Sequence, residues 1–260
     1  MGESPTAEER VHTPNGVALL LLFRDLPALH CGLSLRSGGV SEQPFASLNL
    51  GGSTPDRPAA VAENRRRFYH AAELDPSQVA RMHQVHGAQV ATVSKAGDVG
   101  EADGLVTREP GLALLVTAAD CLPVFLADLE AGVIGALHAG WRGILAGVID
   151  AGIEAARTAG AVPERLLVTL GPAIGSCCFE VGPDVAERFD PATHRPGRRG
   201  RPHLDLAAAV RLRLVRAGID NGAIRGPWAC TRCRSDLFFS ARTGEPTGRM
   251  VGFVARHPPA

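Results

Sequence analysis

The chain has 260 residues, enough to bury a substantial core as one large domain or two small ones. Its 27 basic residues balance 27 acidic ones, which argues against a general nucleic-acid or membrane-surface binder. Lys95, the only lysine, stands in Ser94-Lys95-Ala96, so the Gly-Lys-Ser/Thr phosphate loop of a Walker-type nucleotidase is excluded.

Residues 1–16 read as a flexible leader. Met1 to Arg10 is polar and acidic and lacks the apolar segment of a secretory signal, so the expected compartment is the cytoplasm. Val17–Phe23 is a strand-like apolar run, and Pro27–Leu35 begins a second. Turn formers then fill Ser37-Gly38-Gly39 through Gly51-Gly52. From Arg57 to Glu73, Val61, Ala62, Phe68 and Tyr69 recur at helical spacing. Val79–Val93 reads as strand, turn, strand around His86-Gly87. Gly104–Thr107 and Leu112–Thr117 are strands leading into Ala118-Ala119-Asp120-Cys121, and Val124–Ala127 follows Pro123. The longest apolar stretch, Leu112–Leu129, is interrupted by Asp120 and Pro123, which argues against a membrane span. Gly132–Leu137 is a buried strand ending at His138, and Ala139–Gly143 makes a turn. Ile144–Thr158 is a helix capped by Gly160. Leu166–Leu170 is a strand running into Gly171–Gly175. Pro191–Pro202, with four arginines, reads as an exposed flexible loop, Leu204–Ala217 as a helix and Arg249–Ala255 as a closing strand. No fixed-period repeat or long linker appears. The expected class is therefore α+β, a mixed β-sheet flanked by helices in a single domain over residues 17–260.

A catalytic zinc site takes three ligands from His, Cys or carboxylate and leaves one position open. His86, Cys121 and His138 each fall at a strand end, where side chains from separate strands can converge. The structural alternative is a small buried thiol and two hydrogen-bonded imidazoles. In a strand, His83 points away from His86, which leaves it off the ligand list. The pair in Cys230-Thr231-Arg232-Cys233 stands alone, whereas zinc ribbons need two such pairs, so a structural role is expected. Cys177-Cys178 reads either as packed thiols or as one thiol near a pocket. Arg142 can meet phosphate at a helix N-terminus or anchor its turn. For Arg195, Arg198, Arg199 and Arg201 a solvated loop is the default reading.

Several segments occur in a telling order: Arg36-Ser37-Gly38-Gly39-Val40-Ser41, Pro44–Gly51, Glu63-Asn64-Arg65, Gln84-Val85-His86-Gly87 and Ala102–Thr107. Ala119-Asp120-Cys121-Leu122-Pro123-Val124, His138-Ala139-Gly140-Trp141-Arg142-Gly143, Leu170–Gly175 and Phe239-Ser240 continue the series. Over roughly residues 17–255 they resemble the purine nucleoside phosphorylase family once called multicopper polyphenol oxidoreductase or laccase-domain proteins, also peptidoglycan editing factor. The resemblance implies a zinc enzyme with His86, Cys121 and His138 as ligands. It implies phosphorolysis of adenosine, inosine, guanosine and methylthioadenosine, together with adenosine deamination. It places Arg65 near phosphate and Asn49 in the same pocket. Asp120, beside a ligand, is the candidate proton donor, with turn capping as its structural alternative. Two positions depart from the family pattern: Ala118 stands where threonine is usual, and Ala241 where tyrosine is usual. Both bear on substrate preference.

The implied partners are purine nucleosides and phosphate, with no nucleic acid, membrane or obligate protein partner. Two other activities compete: a peptidoglycan-precursor editing amidase and a copper-dependent polyphenol oxidase. No two of the nine histidines are separated by a single residue, so the His-x-His pairs of a four-copper centre are missing. Adventitious Cu2+ at the three-ligand site remains compatible with the sequence. Neither H-x-E nor P-C-x-x-C occurs, so the site differs from that of the zinc nucleobase deaminases.

Overall fold

The structure is a computed structural model and describes residues 10–197, 200–244 and 246–257. The N-terminal half contains β1 (Arg10–His12), β2 (Ala18–Leu22), β3 (Leu29–Ser34), α1 (Pro58–Ala71), β4 (Val79–His83), β5 (Val90–Thr92), β6 (Gly97–Glu101), β7 (Gly104–Thr107) and β8 (Ala113–Ala118). There follow β9 (Leu122–Asp128), β10 (Val133–Ala139), α2 (Trp141–Ala146), α3 (Val148–Thr158), β11 (Leu167–Leu170) and α4 (Pro183–Ala186). β12 (His194–Arg195), β13 (His203–Leu204), α5 (Leu206–Arg216), β14 (Ile224–Arg225) and β15 (Met250–Arg256) complete the chain.

The single mixed sheet expected from the sequence is in fact two. Sheet one runs β1-β2-β3-β15-β8-β4-β6 and sheet two runs β14-β11-β9-β10-β7-β5, with β12 and β13 forming a separate ribbon. Both are mixed: β4 lies parallel to β6 and β8, β5 to β7 and β11 to β14, while the remaining pairs are antiparallel. Every residue of β9 and β10 is buried, the pattern of strands covered on both faces. One face of sheet two, with Leu122, Val124, Leu126 and Leu137, packs on Ile149 and Ile153 of α3 and on Val210 and Leu214 of α5. The opposite face, with Phe125, Ile134 and Ala136, meets Leu20, Leu33, Val116 and Val254 of sheet one. Phe68 of α1 covers the outer face of sheet one against Leu19, Leu115 and Phe253. The layers are thus helix, sheet, sheet, helices. Each fully buried Leu or Phe contributes about 1.5–3 kcal/mol to this stack.

Other expectations also change in detail. Arg10–His12, assigned to the leader, pairs with Ala18–Leu20 as the edge of sheet one, while residues 1–9 lie outside the described residues. The helix expected over Ile144–Thr158 starts at Trp141 and breaks at Gly147, whose φ of +98° suits glycine best. His138 lies inside β10, paired with Pro123 of β9. Within Pro191–Pro202, His194–Arg195 pairs with His203–Leu204 as a ribbon; Arg198 and Arg199 lie outside the described residues. No described helix is long and apolar enough to cross a membrane.

Asp128 locks the end of β9. It is fully buried; its Oδ1 accepts from the Glu130 and Ala131 amides, and its Oδ2 accepts from the Val162 amide and the Arg165 guanidinium at 3.0 Å. Burial opposes its charge, yet the Ala131 and Val162 amides and Arg165 hold its carboxyl below the usual range. A lowered native value contributes stability above the unfolded value of about 3.9, and that stability is lost as pH falls through the native value. Asp128→Asn is therefore expected to lose about 2–3 kcal/mol at pH 7, with the gap closing in acid. Urea unfolding at pH 7 and pH 3 measures it, and an equal gap at both would refute the assignment.

Candidate metal centre

Between β4 and β9 the chain passes three times from sheet one to sheet two, through residues 84–89, 102–103 and 119–121. Each passage carries one polar residue of the centre: His86, Asp103 and Cys121. The fourth, His138, comes from β10. One donor atom each of His86, Cys121 and His138 lies within 4.8 Å of the others. The two imidazoles meet edge to face, with centroids 4.9 Å apart and planes at 76°. His138 is buried, Cys121 partly buried and His86 exposed. No fourth His, Cys, Asp or Glu joins this group among the described residues. The open side faces a cavity of about 400 Å³, within the range of small-ligand sites.

Asp103, which stands in the sequence within Ala102–Thr107, organises the centre. Fully buried, it accepts the amides of Val85 (3.2 Å), His86 (3.0 Å) and Gly87 (2.6 Å), and its Oδ1 lies 2.8 Å from His138 Nδ1. Its backbone carbonyl accepts the His138 amide as well. These bonds hold His86 at φ +60°, a left-handed conformation that costs a non-glycine residue about 1–2 kcal/mol. They also commit Nδ1 of His138, which leaves Nε2 for the centre. A carboxylate behind a ligating imidazole is the usual support of a metal site. The visible signal was an Asp directly before the buried strand Gly104–Thr107.

Electrostatics follow the same arrangement. Burial alone would push the Cys121 thiol up, but the His138 and His86 imidazoles bring it down to about 6. Burial would lower His138, but Asp103 and Cys121 raise it to about 9. The pair thus favours a Cys121 thiolate beside a protonated His138, and a metal ion would displace that imidazole proton on binding. A His₂Cys set with an open side suits Zn2+, and the same donors are those of copper sites.

Gly140 makes room. A Cβ there would stand 2.9 Å from Cys121 Sγ and 3.2 Å from His86 Cδ2, although φ −77° and ψ 162° suit any residue. Gly140→Ala therefore tests space without backbone strain. Displacements approaching 1 Å can cost on the order of 100-fold in activity, so a loss of at least about tenfold is expected in a folded protein. Unchanged metal content and kinetics in that variant would count against the crowding described.

Asp120 borders the cavity, but its carboxylate is engaged elsewhere. It accepts from Thr231 Oγ1 (2.6 Å), Ser240 Oγ (3.0 Å) and the Arg242 amide (3.0 Å), and its carbonyl accepts from the Ile174 amide. That is the structural alternative to proton donation, because it ties the segments forming the cavity wall to the ligand loop. Asn49 does not face the cavity: it is fully buried, donates to Thr54 and Asp56, and accepts the Gly51 and Arg249 amides. Arg65 donates to the Leu50 carbonyl and lines a neighbouring cleft with His83, which is likewise away from the three ligands. That cleft and the metal cavity share Ser53, Gln84 and Thr117.

The arginines that line the metal cavity are Arg142, Arg242 and Arg249, of which sequence reasoning weighed only the first. Arg142 stacks on Trp141 at 4.4 Å and Arg242 on Phe179 at 4.9 Å. Arg249 donates to the Thr247 and Gly248 carbonyls, and burial lowers its pKa despite the nearby Cys121 and Asp120. None of the three forms an ion pair among the described residues.

The family described as multi-copper polyphenol oxidoreductase laccase matches residues 30–257. Purine nucleoside phosphorylase SCO2081 of Streptomyces coelicolor is 42% identical over 231 residues, covering 86% of this chain and 94% of the relative. Purine nucleoside phosphorylase YfiH of Escherichia coli is 38% identical, covering 85% and 91%. The crystal structure of YlmD from Geobacillus stearothermophilus superposes with a TM-score of 0.89 at 33% identity, covering 96% and 99%. The chain belongs to the multi-copper polyphenol oxidoreductase laccase family, whose curated relatives carry the name purine nucleoside phosphorylase.

Proposed function

We propose that this chain is a zinc-dependent purine nucleoside phosphorylase with adenosine, inosine, guanosine and methylthioadenosine as substrates and adenosine deamination as a second activity. The observation that carries the reading is the open side of the His86–Cys121–His138 cluster, which faces a cavity lined by three arginines whose guanidinium groups form no ion pair among the described residues. The relatives' names support the reaction class. The donor set, the prepared thiolate and the room left by Gly140 fit zinc, which when bound supplies Lewis-acid polarisation.

Phosphorolysis breaks the bond between ribose C1′ and the purine nitrogen with oxocarbenium character at C1′, while hydrogen phosphate attacks from below the sugar and its proton ends on the departing purine nitrogen. Arg249, half-buried and clipped to backbone carbonyls, offers a charged guanidinium whose desolvation an anion would offset. Arg142 and Arg242 extend the positive wall. Asp120 fixes Arg242 through its backbone, and Asn49 does the same for Arg249. Their role in this reading is to position the cationic wall, with Arg65 serving the adjoining cleft where a longer substrate or a second anion would reach.

The test is incubation with adenosine and phosphate, followed by assay for adenine and ribose 1-phosphate. Both products are expected, with inosine formed when phosphate is omitted. In Arg249→Ala the loss of a charge-assisted bond worth about 1.5–3 kcal/mol should raise the phosphate KM about 10- to 100-fold. A zinc-loaded protein yielding no free base would refute the phosphorylase reading, and an unchanged phosphate KM would refute the clamp.

The donor set itself favours a second reading. His₂Cys is also a copper arrangement, and Cu2+ binds such sites more tightly than Zn2+. Among the described residues only two histidines share a cluster, so a copper form would be mononuclear. Phenol oxidation that follows copper content, with nucleoside cleavage absent from the zinc form, would favour it.

A further inference from the structure

Four cysteines far apart in sequence meet on the other side of the cavity wall. The Sγ atoms of Cys177, Cys178, Cys230 and Cys233 all lie within 4.8 Å of one another, with Cys233 3.5 Å from Cys177 and 3.4 Å from Cys178. We propose that these four side chains form a second, structural metal site that holds one Zn2+ ion as a tetrathiolate.

The distances suit a single ion. With Zn–S bonds near 2.3 Å, tetrahedral geometry sets sulfurs about 3.8 Å apart. A disulfide requires about 2.05 Å, and all six cysteines are free. An iron–sulfur cube stands between its thiolates and would hold them farther apart than this cluster does. The donor count is closed, with four thiolates and no open position, as in structural zinc sites and unlike the three-donor centre nearby.

The backbone favours an anionic sulfur at Cys230. Cys230-Thr231-Arg232-Cys233 turns back on itself, with the Arg234 amide bonded to the Cys230 carbonyl. The Gly175 amide points at Cys230 Sγ at 3.2 Å. Amide donors aimed at a sulfur stabilise it as an anion. The lone C-x-x-C of the sequence finds its second half in Cys177-Cys178, brought alongside by the Ala173–Cys230 bridge and the Thr231 amide on the Ala173 carbonyl. Binding is balanced without a redox step: Zn2+ displaces up to four thiol protons and leaves a dianionic centre. Arg195, on the Ser176 carbonyl beside Cys177, lies next to that charge.

Placement gives the site its purpose. The two segments it would join lie outside the sheets and α-helices, and they lead into Ile174, Phe179, Ala241 and Arg242 of the metal cavity. A tetrathiolate would hold that wall in place from behind.

The test is metal analysis of the full-length protein purified under reducing conditions from zinc-supplemented cells. Two zinc ions per chain are expected in the wild type, one in Cys177→Ser/Cys233→Ser and one in His86→Ala/His138→Ala. Should the serine variant fail to fold, Co2+ reconstitution of His86→Ala/His138→Ala serves instead, and an intense thiolate-to-cobalt absorption is expected there. The proposal is overturned if the serine variant retains all the wild-type zinc or if the histidine variant gives no such band. It is equally overturned by iron in place of zinc, or by an intact mass showing two disulfides. One zinc that is lost with the histidines alone would overturn this site while leaving the phosphorylase reading intact.

Discussion

His138→Ala is expected to lower kcat/KM for adenosine phosphorolysis by about a thousand-fold. Polarisation by a bound metal is worth several kcal/mol of transition-state stabilisation, and each 1.36 kcal/mol is a factor of ten. The protein should stay folded, because His138 is flanked in β10 by Leu137 and Ala139, whose packing and ladder pairing the substitution leaves in place. Asp103 would lose one of its partners but keep the amides of Val85, His86 and Gly87. A stability loss of about 1–3 kcal/mol follows from that vacated bond. Steady-state kinetics, zinc content and thermal unfolding on the same preparation separate the two effects. Full activity with the zinc retained at this centre would remove His138 from the ligand set.

Asp103→Asn should have the next largest effect, although Asp103 lies behind the ligands. A carboxylate accepts on both oxygens, whereas the amide of Asn must point its NH₂ at one set of partners. Either the Val85 and Gly87 amides on Oδ2, or the His86 amide and His138 on Oδ1, would then face a donor. Loss of such support behind a metal ligand typically costs 10- to 100-fold in metal affinity or activity. Release of the amides would also free His86 from its φ of +60°. Zinc affinity should fall with kcat in parallel, and zinc added in excess should restore part of the rate. A variant with wild-type zinc affinity would show that Asp103 shapes the loop without supporting the ligand.

Much of the fold was legible because burial and periodicity are local properties. Val17–Phe23, Arg57–Glu73 and the all-buried strands around Pro123 and Leu137 stand where their composition places them. The division into two sheets was not legible. An apolar run reports that a strand is covered, but not whether a helix or a second sheet covers it, as Phe125 and Leu126 on opposite faces of β9 illustrate. Arg10–His12 was missed because a polar three-residue edge strand has no periodicity to read.

At the site, the cluster of His86, Cys121 and His138 proposed from strand ends and family resemblance does converge. The supporting residues were less accessible to sequence. Asp120 sits beside Cys121 in sequence and Asn49 stands in a family motif, but their polar atoms are spent on holding loops. Arg242 and Arg249 enter the cavity from a C-terminal segment more than a hundred residues beyond Cys121 in sequence. Only the packing of that segment against Asp120 and Asn49 brings them there. The cysteine pairs at 177–178 and 230–233 likewise look unrelated until one β-bridge aligns them.

The most direct measurement is anomalous diffraction at the zinc edge from crystals of the full-length protein loaded with zinc, soaked with phosphate and a non-cleavable nucleoside. A peak is expected at bonding distance, about 2.0–2.3 Å, from His86, Cys121 and the Nε2 of His138, with the phosphate against Arg249 on the open side. An absent peak, or a zinc ion bound to only one of these side chains while the phosphate lies elsewhere, would contradict this assignment.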